Sequence, residues 1–256
     1  MKSTNIRAYV LSTKQYGESD LIVSLFSLEK GKIRVIAKGA KKSQKRFVNV
    51  FEPCSLIQAQ IMAPRYSGLY LITEAQLIKN YTSIALDPLK FIHANLAIEL
   101  VDLWCREEDN NSKVFYLLNW FLMQLEKMNL SIELARISLF FQIKILVLSG
   151  YCPDIKKCIE CSKVSMDGVA IKAISLGDCS LCDIRGEPKV SIGSLMTFLK
   201  IVEWDTPQLL RIQMSKNIML ECWLLIIELN ITHLERVPHS YNMLKKFDSL
   251  LAKALI

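Results

Sequence analysis

The hydrophobic period of this chain changes once, near Leu86, and that change limits what it can fold into. Before it lie five short runs rich in β-branched and aromatic residues: "IRAYVLS", "LIVSLF", "IRVIAK", "CSLIQAQI" and "LYLITEAQLI". Turn signals separate them at Tyr16-Gly17-Glu18, at Lys30-Gly31-Lys32, in a basic stretch, and from Pro64 to Gly68. Five strands in about 80 residues fit a small Greek-key barrel of the OB type, with a meander or an SH3-like barrel as the plainer alternatives. After Leu86 the spacing is helical. Pro88 opens "LKFIHANLAIELVDLWC", Ser112 is placed to cap "KVFYLLNWFLMQLEKM", and "IELARISLFFQIKILVLS" stops at Gly150. The pattern resumes in "GSLMTFLKIVE", "KNIMLECWLLIIEL" and "SYNMLKKFDSLLAKAL". The expectation is an α+β, multi-domain chain: a barrel over 1–80 and a domain of about six helices over 81–256, interrupted by a module at about 150–190.

Charge follows the same division. Residues 1–80 carry thirteen Lys and Arg against five Asp and Glu, whereas 81–256 carry nineteen against twenty. All of the basic excess thus belongs to the N-terminal third, which points to a polyanionic partner there. The opening "MKSTNIRAYVL" lacks the unbroken apolar run of a signal peptide, so export is not expected. The most apolar segments, "ISLFFQIKILVLS" and "IMLECWLLIIEL", carry Gln142 and Lys144, or Glu221 and Glu228. They fall short of the roughly 18 apolar residues of a spanning helix and read as buried helices, with no membrane role expected.

The interruption contains "CIECSKVSMDGVAIKAISLGDCSLC". Cys158 and Cys161 form one CxxC pair and Cys179 and Cys182 a second, with a spacer of hairpin length between them. Each CxxC turn presents two thiolates to one point, and two such turns complete the tetrahedral sulfur shell that Zn²⁺ prefers. Two redox motifs are the weaker alternative, since a lone redox pair needs no matched partner. Four thiolates leave no open position for water, so a single structural ion is expected rather than a catalytic one. Cys54, Cys105, Cys152 and Cys222 lack paired spacing and read as small buried residues.

Little else suggests chemistry. His93, His233 and His239 fall in no ligand pattern, and no Walker loop, GxGxxG or GxSxG occurs. Glu107, Glu108 and Asp109 follow a helix and read as its solvated end. Trp104, Trp120, Trp204 and Trp223 lie in helical apolar runs and read as core. No catalytic residue is assigned, and the chain is not expected to be an enzyme.

The basic stretch is the remaining feature. In "GKIRVIAK", Ile33, Val35 and Ala37 alternate with Lys32, Arg34, Ile36 and Lys38, which sends an apolar set and a cationic set to opposite faces of a strand. "KGAKKSQKR" extends the charge, so that Lys30, Lys32, Arg34, Lys38, Lys41, Lys42, Lys45 and Arg46 fall within seventeen positions without an acidic residue. A merely solvated face mixes signs to avoid repulsion. The pattern predicts a phosphate track, with Tyr16, Phe47 and Tyr66, in or beside loops, as candidates for base stacking and little sequence preference. An RNA-binding barrel or an adaptor for an acidic protein would carry similar charge.

Five stretches, "AYVLSTKQYGESDLIVSLFS", "GKIRVIAKGAKKSQKRFVNVFEP", "LSGYCPDIKKCIECS", "LGDCSLC" and "HLERVPHSYNMLKKF", resemble the DNA repair protein RecO family over nearly the whole chain. The resemblance implies an OB-fold, a helical domain and a four-cysteine zinc module. It also implies a non-enzymatic recombination mediator that binds single- and double-stranded DNA, anneals complementary strands, and helps load RecA onto strands coated with single-strand-binding protein (SSB). RecR and the SSB C-terminal tail are the implied protein partners, RecA an indirect one, and the location is the bacterial cytoplasm, at the nucleoid. By position, Lys38, Gly39, Lys41 and Lys42 match the family's basic element, and Cys158, Cys161, Cys179 and Cys182 its metal ligands. The chain departs from the family in having Lys45 where a small Ser is common and Cys54 where an aromatic often stands.

Overall fold

The computed structural model describes residues 3–43, 45–64, 68–160, 168–178 and 188–252, with the side chains of 158–160 excepted. They divide into two compact units, Met1–Glu126 and Lys127–Ile256.

The first unit is built on a closed five-stranded barrel. Its strands are β1 (Ser3–Tyr16), β2 (Asp20–Ser27), β3 (Gly31–Ala37), β4 (Leu56–Met62) and β5 (Tyr70–Lys79), in the order β1-β2-β3-β5-β4. All neighbours are antiparallel except β3 and β5, which meet in parallel at Val35 with Tyr70 and Ile36 with Leu71. This order is that of an OB-type barrel, and it sets aside the meander and SH3-like alternatives. The period-two pattern explains the filling: Ile6, Ala8, Val10, Val23, Leu25, Ile33, Val35, Ala37, Ile57, Ala59, Ile61 and Ile72 face inward and are buried.

Three helices belong to the same unit: α1 (Thr82–Ala85), α2 (Pro88–Trp104) and α3 (Ser112–Lys127, its last residue just past the division). The compact unit is therefore larger than the barrel of 1–80. Asp87 caps α2 by accepting from the amides of Leu89 and Lys90 at 2.9 and 3.1 Å, with Pro88 in the first helical position. Asn111 takes the cap expected of Ser112, its Oδ1 accepting from Val114 N at 3.2 Å. Aromatic residues join barrel to helix. Tyr9 packs on Phe115 at 5.2 Å, donates to Asn119 Oδ1 at 2.7 Å and shares a hydrogen bond with Tyr81 at 3.2 Å. Burial pushes the Tyr9 phenol far above its ordinary value, so it stays a neutral donor.

The second unit is helical: α4 (Ser131–Ser149), α5 (Ile155–Glu160), α6 (Ile171–Leu176), α7 (Ile192–Glu203), α8 (Thr206–Leu209), α9 (Lys216–Leu234) and α10 (His239–Phe247). Two short strands, β6 (Val169–Ala170) and β7 (Lys189–Val190), pair antiparallel. Helix α4 ends at Gly150 in the left-handed conformation, φ 79°, as the sequence predicts. Its Ala135 carbonyl accepts from Trp223 Nε1 at 3.1 Å, and its Gln142 Oε1 accepts from Tyr241 at 2.6 Å inside the core. Helix α9 is longer than its apolar run: at 19 residues it meets the length and apolarity of a membrane span. It carries Glu221 and Glu228 and buries Met219, Cys222, Trp223, Leu225, Ile226 and Leu229, packing against α4, α6 and α7. Trp104 and Trp223 are buried as expected, while Trp120 and Trp204 are only partly covered.

Gly31 and Gly17 both have positive φ, +65° and +60°, but different surroundings. A Cβ on Gly31 would lie 1.9 Å from the carbonyl oxygen of Asp109, whereas one on Gly17 meets nothing within 4 Å. Gly17→Ala is expected to cost only the left-handed strain, about 1–2 kcal/mol. Gly31→Ala must also push the 105–110 segment off the barrel. It is expected to cost clearly more, about 3 kcal/mol or above, as measured by urea unfolding of both variants.

Candidate nucleic-acid interface

Strand β3 carries the alternation into three dimensions. Ile33, Val35 and Ala37 are buried in the barrel, Lys32 and Ile36 are partly covered, and Arg34 and Lys38 are exposed. At its end Gly39 adopts φ 68° and starts a single 3-10 turn, Ala40–Lys42. Ala40 is buried among the barrel residues, so the turn is anchored by its one apolar side chain while Lys41 and Lys42 point into solvent.

Hydrogen bonds fix the loop against the β1–β2 turn. The Asp20 carboxylate accepts from Gly39 N at 2.8 Å and from Ser19 Oγ at 3.0 Å, and Lys41 N donates to Ser19 O at 3.0 Å. The Gly39 amide, the Ser19 hydroxyl and the nearby Lys38 charge hold the Asp20 carboxyl below its ordinary value. On the far side, Arg46 Nη2 returns to Lys38 O at 3.1 Å, and Ala75 N donates to Arg46 O at 3.3 Å. Lys38, Lys41, Lys42, Lys45 and Arg46 are all exposed. Lys41, Lys42 and Lys45 have no ion pair among the described residues.

The other three basic residues are already engaged. Lys32 donates to the Asp102 carbonyl at 2.5 Å and lies 3.7 Å from its carboxylate, with its side chain only 15% exposed. Arg34 makes a two-pronged pair with Glu107, 2.7 Å from Nε and 3.3 Å from Nη2. Lys30 sits over the Tyr70 ring at 5.6 Å, and the Tyr70 hydroxyl donates to Glu108 at 2.9 Å. Glu107 and Glu108 are exposed after the end of α2, as the sequence predicts, but they are also paired to the barrel. They return to the barrel because Lys32 bridges to Glu107 in parallel and Glu108 N donates to Lys32 O at 2.8 Å, extending the short β3–β5 seam.

Of the stacking candidates, Tyr16 is 54% exposed at the end of β1, beside the turn that supports the basic loop. Phe47 is 5% exposed and packs on Phe51 at 5.3 Å, with the Arg46 guanidinium 5.1 Å from its ring. It closes the end of the barrel and offers no face to a base. Tyr66 lies outside the described residues. Cys54 is buried at φ 68°, and burial pushes its thiol up to about 12, so it acts as a small apolar residue. Cys105 and Cys222 are likewise buried, and Cys152 is partly covered.

Cys161, Cys179 and Cys182 lie outside the described residues, as does the side chain of Cys158, whose backbone falls in α5. The spacer between the pairs is more than a hairpin, since it contains β6 and α6. Helix α6 buries Ile171, Ala173 and Ile174 and packs on α9.

Because a depressed folded pKa stabilises the fold only while the group is ionised, the Asp20 contribution is complete above the ordinary carboxyl value. It is lost as pH falls through the depressed one. Asp20→Asn is expected to quicken amide exchange at Gly39 and Lys41 at neutral pH. In the parent chain the same amides should gain exchange, beyond the intrinsic pH trend, only in that acid window.

Comparison with known proteins places this arrangement. Residues 1–81 match the model for the recombination protein O N-terminal domain, and residues 85–242 match that for its C-terminal domain. The chain is 30% identical to the DNA repair protein RecO of Desulfosudis oleivorans over 81% of its own length and 84% of that protein's. It is 33% identical to that of Syntrophus aciditrophicus over 81% and 82%, and 28% identical to that of Desulfatibacillum aliphaticivorans over 96% and 97%. With both domain models matched in order, and relatives aligned along nearly their full length, the chain belongs to the recombination protein O family.

Proposed function

We propose that this chain is a recombination mediator in DNA repair that seats nucleic-acid backbones on the Lys38–Arg46 loop. Five exposed cations held on a loop tied at both ends carry this reading. The two ends of the loop, at Gly39 and Arg46, are already held without a ligand, so less binding energy is spent on fixing them. Neutralising the phosphates of two single strands lets their complementary bases meet, and such annealing needs no catalytic residue. Tyr16 offers a ring to one base at the edge of the same loop, and a ring reads no sequence. Both single- and double-stranded DNA are within the reach of backbone contacts of this kind.

Assistance to RecA on SSB-coated strands, with RecR and the SSB C-terminal tail as protein partners, completes the proposal, as does a place in the cytoplasm at the nucleoid. The helical second unit, which does not carry the basic loop, is the part assigned to protein contacts. Fluorescent strand annealing with bare and SSB-coated strands separates a mediator from a simple adaptor, which would leave bare strands unannealed at low salt.

One structural Zn²⁺ on Cys158, Cys161, Cys179 and Cys182 is also proposed, on the chemistry of the donor set: two CxxC pairs supply four soft thiolates and no site for water. The ion would hold together the segments entering and leaving α6. Blocking the thiols is expected to release about one zinc per chain, read with a chromogenic chelator. Cys158→Ser with Cys161→Ser should abolish that release and lower the Tm. It should leave DNA binding by the first unit intact.

Five phosphates neutralised on a single strand predict that log K falls with log salt at a slope near −3.5, from roughly −0.7 per contact. Lys41→Ala with Lys42→Ala should flatten the slope by about one unit, as read by fluorescence anisotropy with oligo(dT). An unchanged slope would move the track elsewhere.

A further inference from the structure

The cationic face of β3 is split between a residue that is locked and one that is exchangeable. Lys32 is largely covered and holds a backbone carbonyl as well as a carboxylate, so leaving Asp102 would strand a largely buried ammonium. Arg34 differs. Its side chain is 58% exposed, its partner Glu107 is 50% exposed, and among the described residues the pair is the one polar contact that either side chain makes. Pairs that face water on both sides contribute little to stability, because solvent screens them and side-chain entropy opposes them.

The geometry of the pair is that of phosphate recognition. A guanidinium presents two parallel N–H groups to two oxygens, and a carboxylate and a phosphodiester satisfy that fork equally well. Glu107 keeps its position through backbone pairing with Lys32, not through Arg34, so the guanidinium can leave without undoing the segment. Beside the pair is a polar cavity of about 190 Å³ lined by Arg34, Gly68, Tyr70, Glu107 and Glu108, among others. Lys38 follows directly after β3, four residues beyond Arg34, and both side chains are exposed.

We propose that Glu107 acts as an internal stand-in for a DNA phosphate: it occupies the Arg34 fork in the free protein and yields it to the backbone of a bound strand. This rests on the reading of the barrel as a DNA seat and deepens it. Binding then proceeds in two parts. The unpaired loop lysines take the strand first and release counterions. Arg34 then exchanges one carboxylate for one phosphate, extending the track from the loop onto β3. The carboxylate left behind makes that last contact costly, which keeps the complex weak enough for strands to be handed on. Lys32, held by the Asp102 carbonyl, does not join.

The test is the salt dependence of oligo(dT) binding by the full chain and its variants. Glu107→Gln, isosteric and half exposed, preserves the backbone pairing. It should tighten binding several-fold at low salt, and the gain should vanish in the double variant Arg34→Ala with Glu107→Gln. Arg34 adds a sixth contact to the five of the loop, steepening the parent slope to about −4.2, and Arg34→Ala alone should return it to about −3.5, a change of roughly 0.7 for one single-strand phosphate. Asp102→Asn should leave affinity and slope as they are. If Glu107→Gln leaves affinity unchanged, or tightens it equally in the Arg34→Ala background, the exchange is refuted while the loop remains the DNA seat. If the parent chain fails to bind oligo(dT), the underlying reading falls with it.

Discussion

Strand β3 can bury only one of its two faces, and most of what this protein offers to a ligand follows from that. Packing Ile33, Val35 and Ala37 into the barrel obliges Lys32 and Arg34 to leave it on the other side, since a strand's period is two. A slip of one residue would bury two cations, Lys32 and Arg34, so the register is fixed by the cost of desolvating charge as much as by the gain from apolar burial. The same argument continues into the loop, where Ala40 is the residue that enters the core and its basic neighbours stay out.

Once the cations are outside, the protein treats them in two ways. Those on the strand meet carboxylates and a ring from the same compact unit: Asp102 and Glu107 for Lys32 and Arg34, Tyr70 for Lys30. The loop lysines have no ion pair among the described residues, and the loop is held through its backbone, by Asp20 at the Gly39 amide and by the Arg46 guanidinium at the Lys38 carbonyl. Using backbone anchors keeps the charge of the loop free for a ligand. It also explains how Asp20, an acidic residue beside a basic loop, supports the site: it accepts the Gly39 amide, and although the Lys38 charge lies near, it forms no close ion pair with a lysine among the described residues.

Much of this was legible in the sequence because it rests on local patterns. Alternation in "GKIRVIAK" predicted the buried and exposed sets of β3, turn signals located the five strands, and Gly150 marked the end of α4. What escaped depends on contacts distant along the chain. Glu107, Glu108 and Asp109 read as a solvated helix end, and they are exposed, but nothing nearby shows that Lys32, some 75 positions earlier, will pair with the backbone of the first two. Phe47 read as a stacking ring because it lies in a basic loop, yet the loop folds back and uses the ring to close the barrel. A loop aromatic followed by Val50 and Phe51, each apolar and close in sequence, was the signal that it belongs to a core. The hairpin expected between the two cysteine pairs missed α6, whose six residues give too short a period to recognise.

The central claim is that DNA phosphates sit on the loop that follows β3. Lysine footprinting tests it most directly: limited acetylation of the full chain with and without oligo(dT), read by mass spectrometry. The account predicts strong protection at Lys38, Lys41, Lys42 and Lys45, and unchanged labelling at exposed lysines elsewhere, such as Lys113 and Lys245. Labelling of the loop that does not fall when DNA is bound would contradict it.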